Sequence, residues 1–179
     1  GNCLIDKWVK KNFDKNFDKD GKISLEGKVD ENLADIFLNK LQEKTKNKNI
    51  SYDTSDFDIL EFNRLNAKDG AATLSFITAK AILNFAKDLD LKKIIICGGG
   101  RLNQAILNNL KKDRFSISLI DEIKSSQYDS FTPNLNGDFI ESQAFAYLAI
   151  RSFLKLPISF PETTGCINPC TGGIIVKNF

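Results

Sequence analysis

The most constraining feature of this 179-residue chain is a short apolar run that ends in three consecutive glycines. Residues 94–97 are apolar and mostly β-branched, which predicts a buried strand and a buried thiol at Cys97. The glycines at 98–100 end that strand, and the spacing of apolar residues at 105–110 predicts a helix. An alternating pattern at 115–120 predicts a second strand. The order strand, glycine turn, helix and strand is typical of an α/β fold.

Longer helical patterns surround this unit. Helical spacing of apolar residues predicts further helices at 1–12, 29–43, 70–89 and 139–155, with a polar loop at 13–28 and a short last strand at 173–176. The residues predicted to face the core are Leu74, Ile77, Ala81, Ile82, Phe85 and Leu89 in the third of these helices, and Phe145, Leu148, Ser152 and Phe153 in the fourth. We therefore expect one helix-rich α/β lobe over residues 1–179. Its few strands, and the lack of Met, suggest a piece of a larger protein whose sheet begins elsewhere.

Composition excludes several functional classes. The 25 basic and 23 acidic residues leave a net charge of +2, so we predict no nucleic-acid partner held by phosphate neutralisation. No run approaches the roughly 18 apolar residues of a membrane span. The chain has no His, which removes His-based acid–base chemistry and His metal sites, and its four cysteines form no Cys-x-x-Cys pair. We assign no residue to a metal and expect a reduced, cytoplasmic protein.

The glycine turn is the first candidate site. A strand that ends in glycines and leads into a helix exposes backbone N–H groups and a favourable field for anions. Asn103 stands where a dinucleotide fingerprint needs its third glycine, and no Gly-Lys-Ser/Thr follows as a phosphate loop requires. The pattern is equally consistent with a nucleotide or phosphate site and with a tight structural turn.

Two acidic motifs are also open to two interpretations. Asp138 and Glu141 precede an apolar helix at capping-box spacing, so Glu141 either closes that cap or binds a ligand. Residues 16–24 resemble the start of a calcium loop, but Gly27 replaces the Glu required at its twelfth position. An Asp/Asn/Gly turn explains this segment better than a calcium site does.

Two Thr/Gly segments near the C-terminus complete the candidates. Thr163-Thr164-Gly165 and Thr171-Gly172-Gly173 contain hydroxyl and amide groups that could enclose a ligand. A surface turn explains either segment equally well.

Several of these segments together resemble the C-terminal half of the anhydro-N-acetylmuramic acid kinases. The segments that carry the resemblance are Gly1-Asn2-x-Leu4-Ile5-Asp6-x-Trp8, Asp18-x-Asp20-Gly21, Asp69-Gly70-Ala71-Ala72-Thr73-Leu74, Cys97-Gly98-Gly99-Gly100-Arg101-x-Asn103, Gly137-Asp138-x-x-Glu141-x-Gln143-Ala144-Phe145-Ala146-Tyr147 and Leu156-Pro157-x-Ser159-Phe160-Pro161-x-Thr163-Thr164-Gly165.

The resemblance implies a fold, a reaction and partners. The fold would be the C-terminal lobe of an actin-like (RNase H-like) ATPase or sugar kinase, whose two lobes close on a cleft. The reaction would convert 1,6-anhydro-N-acetylmuramic acid, ATP and water, with Mg²⁺, to N-acetylmuramic acid 6-phosphate in the recycling of peptidoglycan in the bacterial cytoplasm. Family members are typically homodimers.

The resemblance also implies roles for individual residues. Gly98, Gly99, Gly100 and Asn103 would bind the nucleotide, and Glu141 would contact the sugar as an accessory catalytic group. The family's main general base belongs to an Asp-Thr-Gly-Pro segment that would precede Gly1, so the chain alone is expected to be inactive.

The sequence departs from the family pattern at one segment, and two alternative functions stay open. Ile50 and Thr54 stand where the family has basic residues. A non-catalytic nucleotide- or sugar-binding module is the main alternative, and a calcium-binding module is the least favoured.

Overall fold

The fold is described from a computed structural model, which covers residues 2–45, 57–123, 135–174 and 176. It contains the α-helices α1 (Cys3–Phe13), α2 (Lys22–Glu26), α3 (Glu31–Thr45), α4 (Ala67–Asp88), α5 (Gln104–Leu110), α6 (Ile140–Phe153) and α7 (Pro161–Thr164), and the strands β1 (Lys93–Ile96) and β2 (Ser116–Leu119). Short 3₁₀ turns lie at Lys19–Gly21, Leu60–Arg64, Gly99–Leu102 and Ile120–Glu122. The predicted α/β, helix-rich class is confirmed. Ile50 and Thr54, which stand where the family has basic residues, lie outside the described residues.

Helix α4 is the centre of the core. It packs against α1, α2, α3 and α5, and its residues 70–75 are all buried. These residues are mostly small, which lets the neighbouring helices approach closely. Trp8 of α1 crosses it at Gly70 and donates from Nε1 to the carbonyl oxygen of Ala67 at 2.7 Å. The third predicted helix is therefore confirmed, and its buried residues hold the domain together.

The two strands form a small parallel sheet. Ile94 pairs with Ile117 and Ile96 with Leu119, and these four residues pack against the core. The opposite face is uncovered among the described residues, and Ile95 is exposed there. The prediction of a fully buried strand is therefore wrong, and so is the prediction of a buried Cys97, whose thiol is exposed and free.

The segment predicted as a polar loop at 13–28 instead contains a 3₁₀ turn and helix α2. The buried Asp18 carboxylate starts this helix, since it accepts hydrogen bonds from the amides of Ile23 at 2.8 Å and Ser24 at 3.0 Å. Asp20 and Gly21 adopt positive φ angles of 59° and 70°. The segment that resembles a calcium loop thus uses its central carboxylate to bind backbone amides, as an Asx-type turn does.

Helix α6 forms where predicted, but its side chains do not face inward. None of its residues is buried, and Phe145 and Phe153 are 64% and 69% exposed. Phe85 and Leu89, at the end of α4, are also exposed. The prediction of core positions is wrong at these four residues, because no described element covers this side of the chain.

The C-terminal segment is mostly irregular. The predicted strand at 173–176 does not form over its described residues. The only β-bridge outside the sheet in the described chain joins Ser159 to Cys170.

The contact between Trp8 and Gly70 generates a stability prediction. A Cβ atom at Gly70 would overlap the buried indole ring of Trp8, whose position is held by its hydrogen bond to Ala67. Ala favours a helix over Gly by about 1 kcal/mol, whereas overpacking a core costs roughly 1–3 kcal/mol. Because the indole ring is rigid and buried, we expect Gly70→Ala to lower the free energy of unfolding, measured by urea denaturation.

The matched control is Gly99→Ala, which adds the same methyl group where no heavy atom lies within 4 Å. It should leave the unfolding free energy nearly unchanged. Equal or greater stability of Gly70→Ala would show that the indole ring moves aside freely, against this account of α4.

Candidate functional site

The glycine turn leaves β1 at the carboxyl end of the sheet. Gly98 has a φ of 68°, a conformation that favours glycine, and Gly99 to Leu102 form one 3₁₀ turn. Within the described residues, no hydrogen bond is formed by the amide groups of Gly99 and Gly100. A Cβ atom at Gly99 would meet no atom within 4 Å. The turn therefore presents two unpaired donors beside open space, in a form that suits an anionic or polar ligand.

Asn103 follows the turn but does not face solvent. It is only 2% exposed, and its Oδ1 accepts a hydrogen bond from the amide of Ile106 at 3.1 Å, which caps α5. Its Nδ2 is buried and has no hydrogen-bond partner among the described residues. Asn103 thus has a structural role through its oxygen and an unused donor on its nitrogen.

The start of the chain packs beside this turn. Gly21 lets Asn103 Oδ1 approach, because a Cβ atom there would overlap that oxygen. A Cβ atom built on Gly100 would lie 3.4 Å from Asn2 Oδ1, which is itself buried without a partner in the described chain, as is Asp6 Oδ1. Burial, and then the nearby Asp18 carboxylate, raise the pKa of Asp6. Asn2 and Asn103 therefore each leave one polar atom with an unmet hydrogen bond next to the glycine turn.

Arg101, which the sequence analysis did not single out, is the centre of an ionic network at this edge. Its guanidinium is 6% exposed, and its Nε donates to Asp121 Oδ2 at 2.6 Å. Its Nη1 donates to Asp138 Oδ1 at 2.8 Å and to the Gly98 carbonyl oxygen at 3.1 Å. Hydrogen bonds to Asp138 and then Asp121 raise the pKa of Arg101, while the Gly137 amide and then Arg101 lower the pKa of Asp121.

The predicted capping box at the start of α6 is absent. The helix begins at Ile140 with Phe139 as its N-cap, and no side chain caps it. Asp138 is bonded to Arg101 instead, because the ionic hydrogen bond uses the carboxylate that would have capped the helix. Glu141 is exposed in the first turn of α6 and forms no hydrogen bond or ion pair with the described residues. Its carboxylate is therefore available to a ligand.

The structure brings the glycine turn and the start of α6 together. The amide of Gly98 donates to the carbonyl oxygen of Gly137 at 3.3 Å, and the amide of Gly137 donates to Asp121 Oδ1 at 2.7 Å. Gly98 to Gly100 and the turn that precedes Glu141 thus share the carboxyl edge of the parallel sheet, where α/β folds bind ligands.

The two Thr/Gly segments are not joined to this edge by any hydrogen bond in the described residues. The hydroxyl groups of Thr163 and Thr164 both donate to the Phe160 carbonyl oxygen, at 3.2 and 3.1 Å. Gly165 ends α7 with a φ of 71°. These residues form a local surface turn.

Two features are absent from the described residues. No group of three Cys, Asp or Glu side chains in the described ranges is arranged to hold a metal ion. None of the described helices is long and apolar enough to cross a bilayer.

One sequence signal could have revealed the ionic network. Arg101 lies within the turn after β1, while Asp121 lies in the turn after β2, two residues beyond its end. Because the carboxyl ends of parallel strands meet at one edge, a cation after one strand and an acid after the next are placed to pair.

Comparison with known proteins identifies the family. The chain is 39% identical over 188 residues to an anhydro-N-acetylmuramic acid kinase of Pelagibacter ubique, with 100% of this chain and 48% of that protein covered. Proteins with the same name from Brucella canis and Agrobacterium fabrum are 36% and 35% identical over 99% of this chain and 46% of their own lengths. The chain thus spans about half the length of these relatives. The family described as Anhydro-N-acetylmuramic acid kinase matches residues 1–178, and the chain belongs to this family.

Proposed function

We propose that this chain is the C-terminal, ATP-binding half of an anhydro-N-acetylmuramic acid kinase. The complete enzyme converts 1,6-anhydro-N-acetylmuramic acid, ATP and water to N-acetylmuramic acid 6-phosphate and ADP, in peptidoglycan recycling in the bacterial cytoplasm. The observation that carries the proposal is the glycine turn at residues 98–100. Its unpaired amides lie at the carboxyl edge of the sheet, next to the segment that leads to Glu141.

The turn fits a nucleotide in two respects. The open space at Gly99 allows a planar or polar ligand to approach the backbone without meeting a side chain. The Nδ2 of Asn103 is a donor without a partner in the described chain, but it is buried, so a base or ribose acceptor would reach it only after the side chain turns outward. Phosphoryl transfer needs positioning and charge neutralisation more than covalent participation, so a fixed turn of this kind is suitable.

Mg²⁺ has no dedicated site in the described residues, as no three ligands converge. Mg²⁺ keeps several waters and is commonly bound through substrate phosphates and one or two carboxylates. We therefore propose that it enters with ATP, where it supplies charge neutralisation.

Glu141 is proposed to act on the sugar. Opening the anhydro ring requires water to attack the anomeric carbon, and a carboxylate assists by taking its proton or by orienting the reactants. Glu141 is exposed and has no capping role, so its charge is available for orientation. The main general base is proposed to lie in the half of the enzyme that this chain does not span.

The exposed face of α6 supports the existence of that second half. Phe145, Phe153 and other large apolar residues of this helix lie open to solvent. Burying each such side chain is worth about 1.5–3 kcal/mol, so a second lobe that covers α6 would be strongly favoured. We further propose that the complete protein forms a homodimer, as its family implies.

The alternative is a binding module without turnover, and activity separates the two. We expect the chain alone to bind ATP but not to phosphorylate anhydro-N-acetylmuramic acid, because loss of a general base alone costs roughly 10²–10⁴-fold. The measurement follows sugar phosphate formation by mass spectrometry, with the chain alone and with the other half of the family protein added.

Restored turnover in the mixture would support the kinase half. ATP binding that stays without turnover in every combination would favour the binding module. Clear turnover by the chain alone would show that the general base lies within these 179 residues.

The role of the glycine turn is tested by Gly99→Val. Its side chain would fill the space beside the two unpaired amides, so we expect ATP affinity, measured by calorimetry, to fall about 10-fold or more, or about 1.4 kcal/mol. The fold should persist, because no atom lies within 4 Å of the added Cβ. Gly98 is unsuitable for this purpose, since its φ of 68° would add backbone strain. Unchanged ATP affinity would show that the turn only connects β1 to α5 and does not bind the nucleotide.

The role of Glu141 is tested by Glu141→Gln in a chain complete enough to turn over. If the charge orients the sugar or the attacking water, kcat should fall about 10-fold or more, or about 1.4 kcal/mol in the barrier. The melting temperature should move little, because Glu141 forms no hydrogen bond or ion pair with the described residues and its interaction with the helix dipole is worth only about 0.3–1 kcal/mol. Near-normal turnover would exclude a role for this charge.

A further inference from the structure

Arg101 connects three segments that are far apart in the sequence. Its guanidinium binds the Gly98 carbonyl of the glycine turn, Asp121 at the end of β2 and Asp138 before α6. The amide of Gly137 donates to Asp121, and the carbonyl oxygen of Gly137 accepts from the amide of Gly98. The result is a closed ring of four hydrogen bonds, two of which are formed by the buried side chain of Arg101.

The main chain at Gly137 is shaped around this side chain. A Cβ atom at Gly137 would overlap the guanidinium and the adjoining carbon of Arg101. Gly137 is itself buried, although Asp138 and Phe139 beside it are exposed. The segment that leads into α6 therefore lies directly on Arg101, and its path depends on where that side chain is held.

Only arginine suits this geometry. Its donors on Nε and Nη1 point in different directions in one fixed plane, and they reach two carboxylates and a carbonyl at once. Lysine would keep the charge but offers a single nitrogen on a flexible stem. Because two carboxylates bind the same guanidinium, the network depends on the directions of its hydrogen bonds as well as on its charge.

We propose that Arg101 is a positioning residue that fixes the glycine turn relative to the helix carrying Glu141. It holds the nucleotide-binding turn on one side and the sugar-facing end of α6 on the other. This inference rests on the proposed function of the two segments, but the ring of contacts is independent of it.

The test compares Arg101→Lys with the control Arg114→Lys. Arg114 is exposed and lies two residues before the start of β2, at the opposite end of that strand from Asp121. Two measurements are made on each: ATP affinity by calorimetry, and amide hydrogen exchange of Gly98, Gly137 and the buried residues of α4. We expect Arg101→Lys to weaken ATP binding about 10-fold and to speed exchange at Gly98 and Gly137 by a similar factor, with α4 unchanged. The control should alter neither.

The outcomes separate the inference from the proposed function. If the unaltered chain does not bind ATP, the proposed function fails and this inference fails with it. If it binds ATP and Arg101→Lys binds equally well, the inference alone fails. Faster exchange throughout α4 would mean that Arg101 only stabilises the fold, which also overturns it.

Two further variants keep the proposal testable if Arg101→Lys folds poorly. Asp138→Ala removes only the arm toward α6, at an exposed residue, and should speed exchange at Gly137 more than at Gly98. Arg101→Ala should regain ATP affinity when millimolar guanidinium is added, since that ion can occupy the same site. No effect of Asp138→Ala on exchange, or no recovery with guanidinium, would contradict a positioning role.

Discussion

The close approach of four helices to α4 is the constraint on which the other contacts depend. Small residues along its first turns let Trp8 cross at Gly70 and let Ser24 donate to the Ala71 carbonyl oxygen at 3.1 Å. α1 and α2 therefore both pack on α4, and the turn before α2 contacts α5. Asn103, whose Oδ1 caps α5, is consequently held by an element that packs on this core, and the adjoining glycine turn contacts the same helix.

Charge at this edge is used mainly to shape the backbone. Asp18 binds two amides, and Arg101 neutralises Asp121 and Asp138. Partly buried ionic groups need such partners, because an unpaired charge costs more than the pair returns. Glu141 differs from them, since it is exposed and forms no hydrogen bond or ion pair in the described chain. A carboxylate without a structural task, beside a network of carboxylates that have one, is the natural candidate for chemistry.

The local sequence pattern predicted the positions of helices and strands better than it predicted which of their side chains are buried. The helices at α1, α3, α4, α5 and α6 and both strands could be placed from periodicity, because spacing of apolar residues reports which face a segment can bury. Periodicity does not report whether anything covers that face, so Phe145 and Cys97 were wrongly placed inside. Asp138 failed as a cap for a related reason: its partner, Arg101, lies 37 residues away in sequence.

The uncovered apolar face and the candidate site meet at the first turn of α6. Glu141 lies in that turn, and the exposed Phe145 lies one helical turn further on. Whatever covers Phe145 must therefore also form a wall close to Glu141. Covering the helix would exclude water from this carboxylate and strengthen its interactions with a bound ligand. In the proposed kinase, packing of the second lobe and assembly of the catalytic cleft would thus be one event, with Arg101 holding the helix at the position where that event occurs.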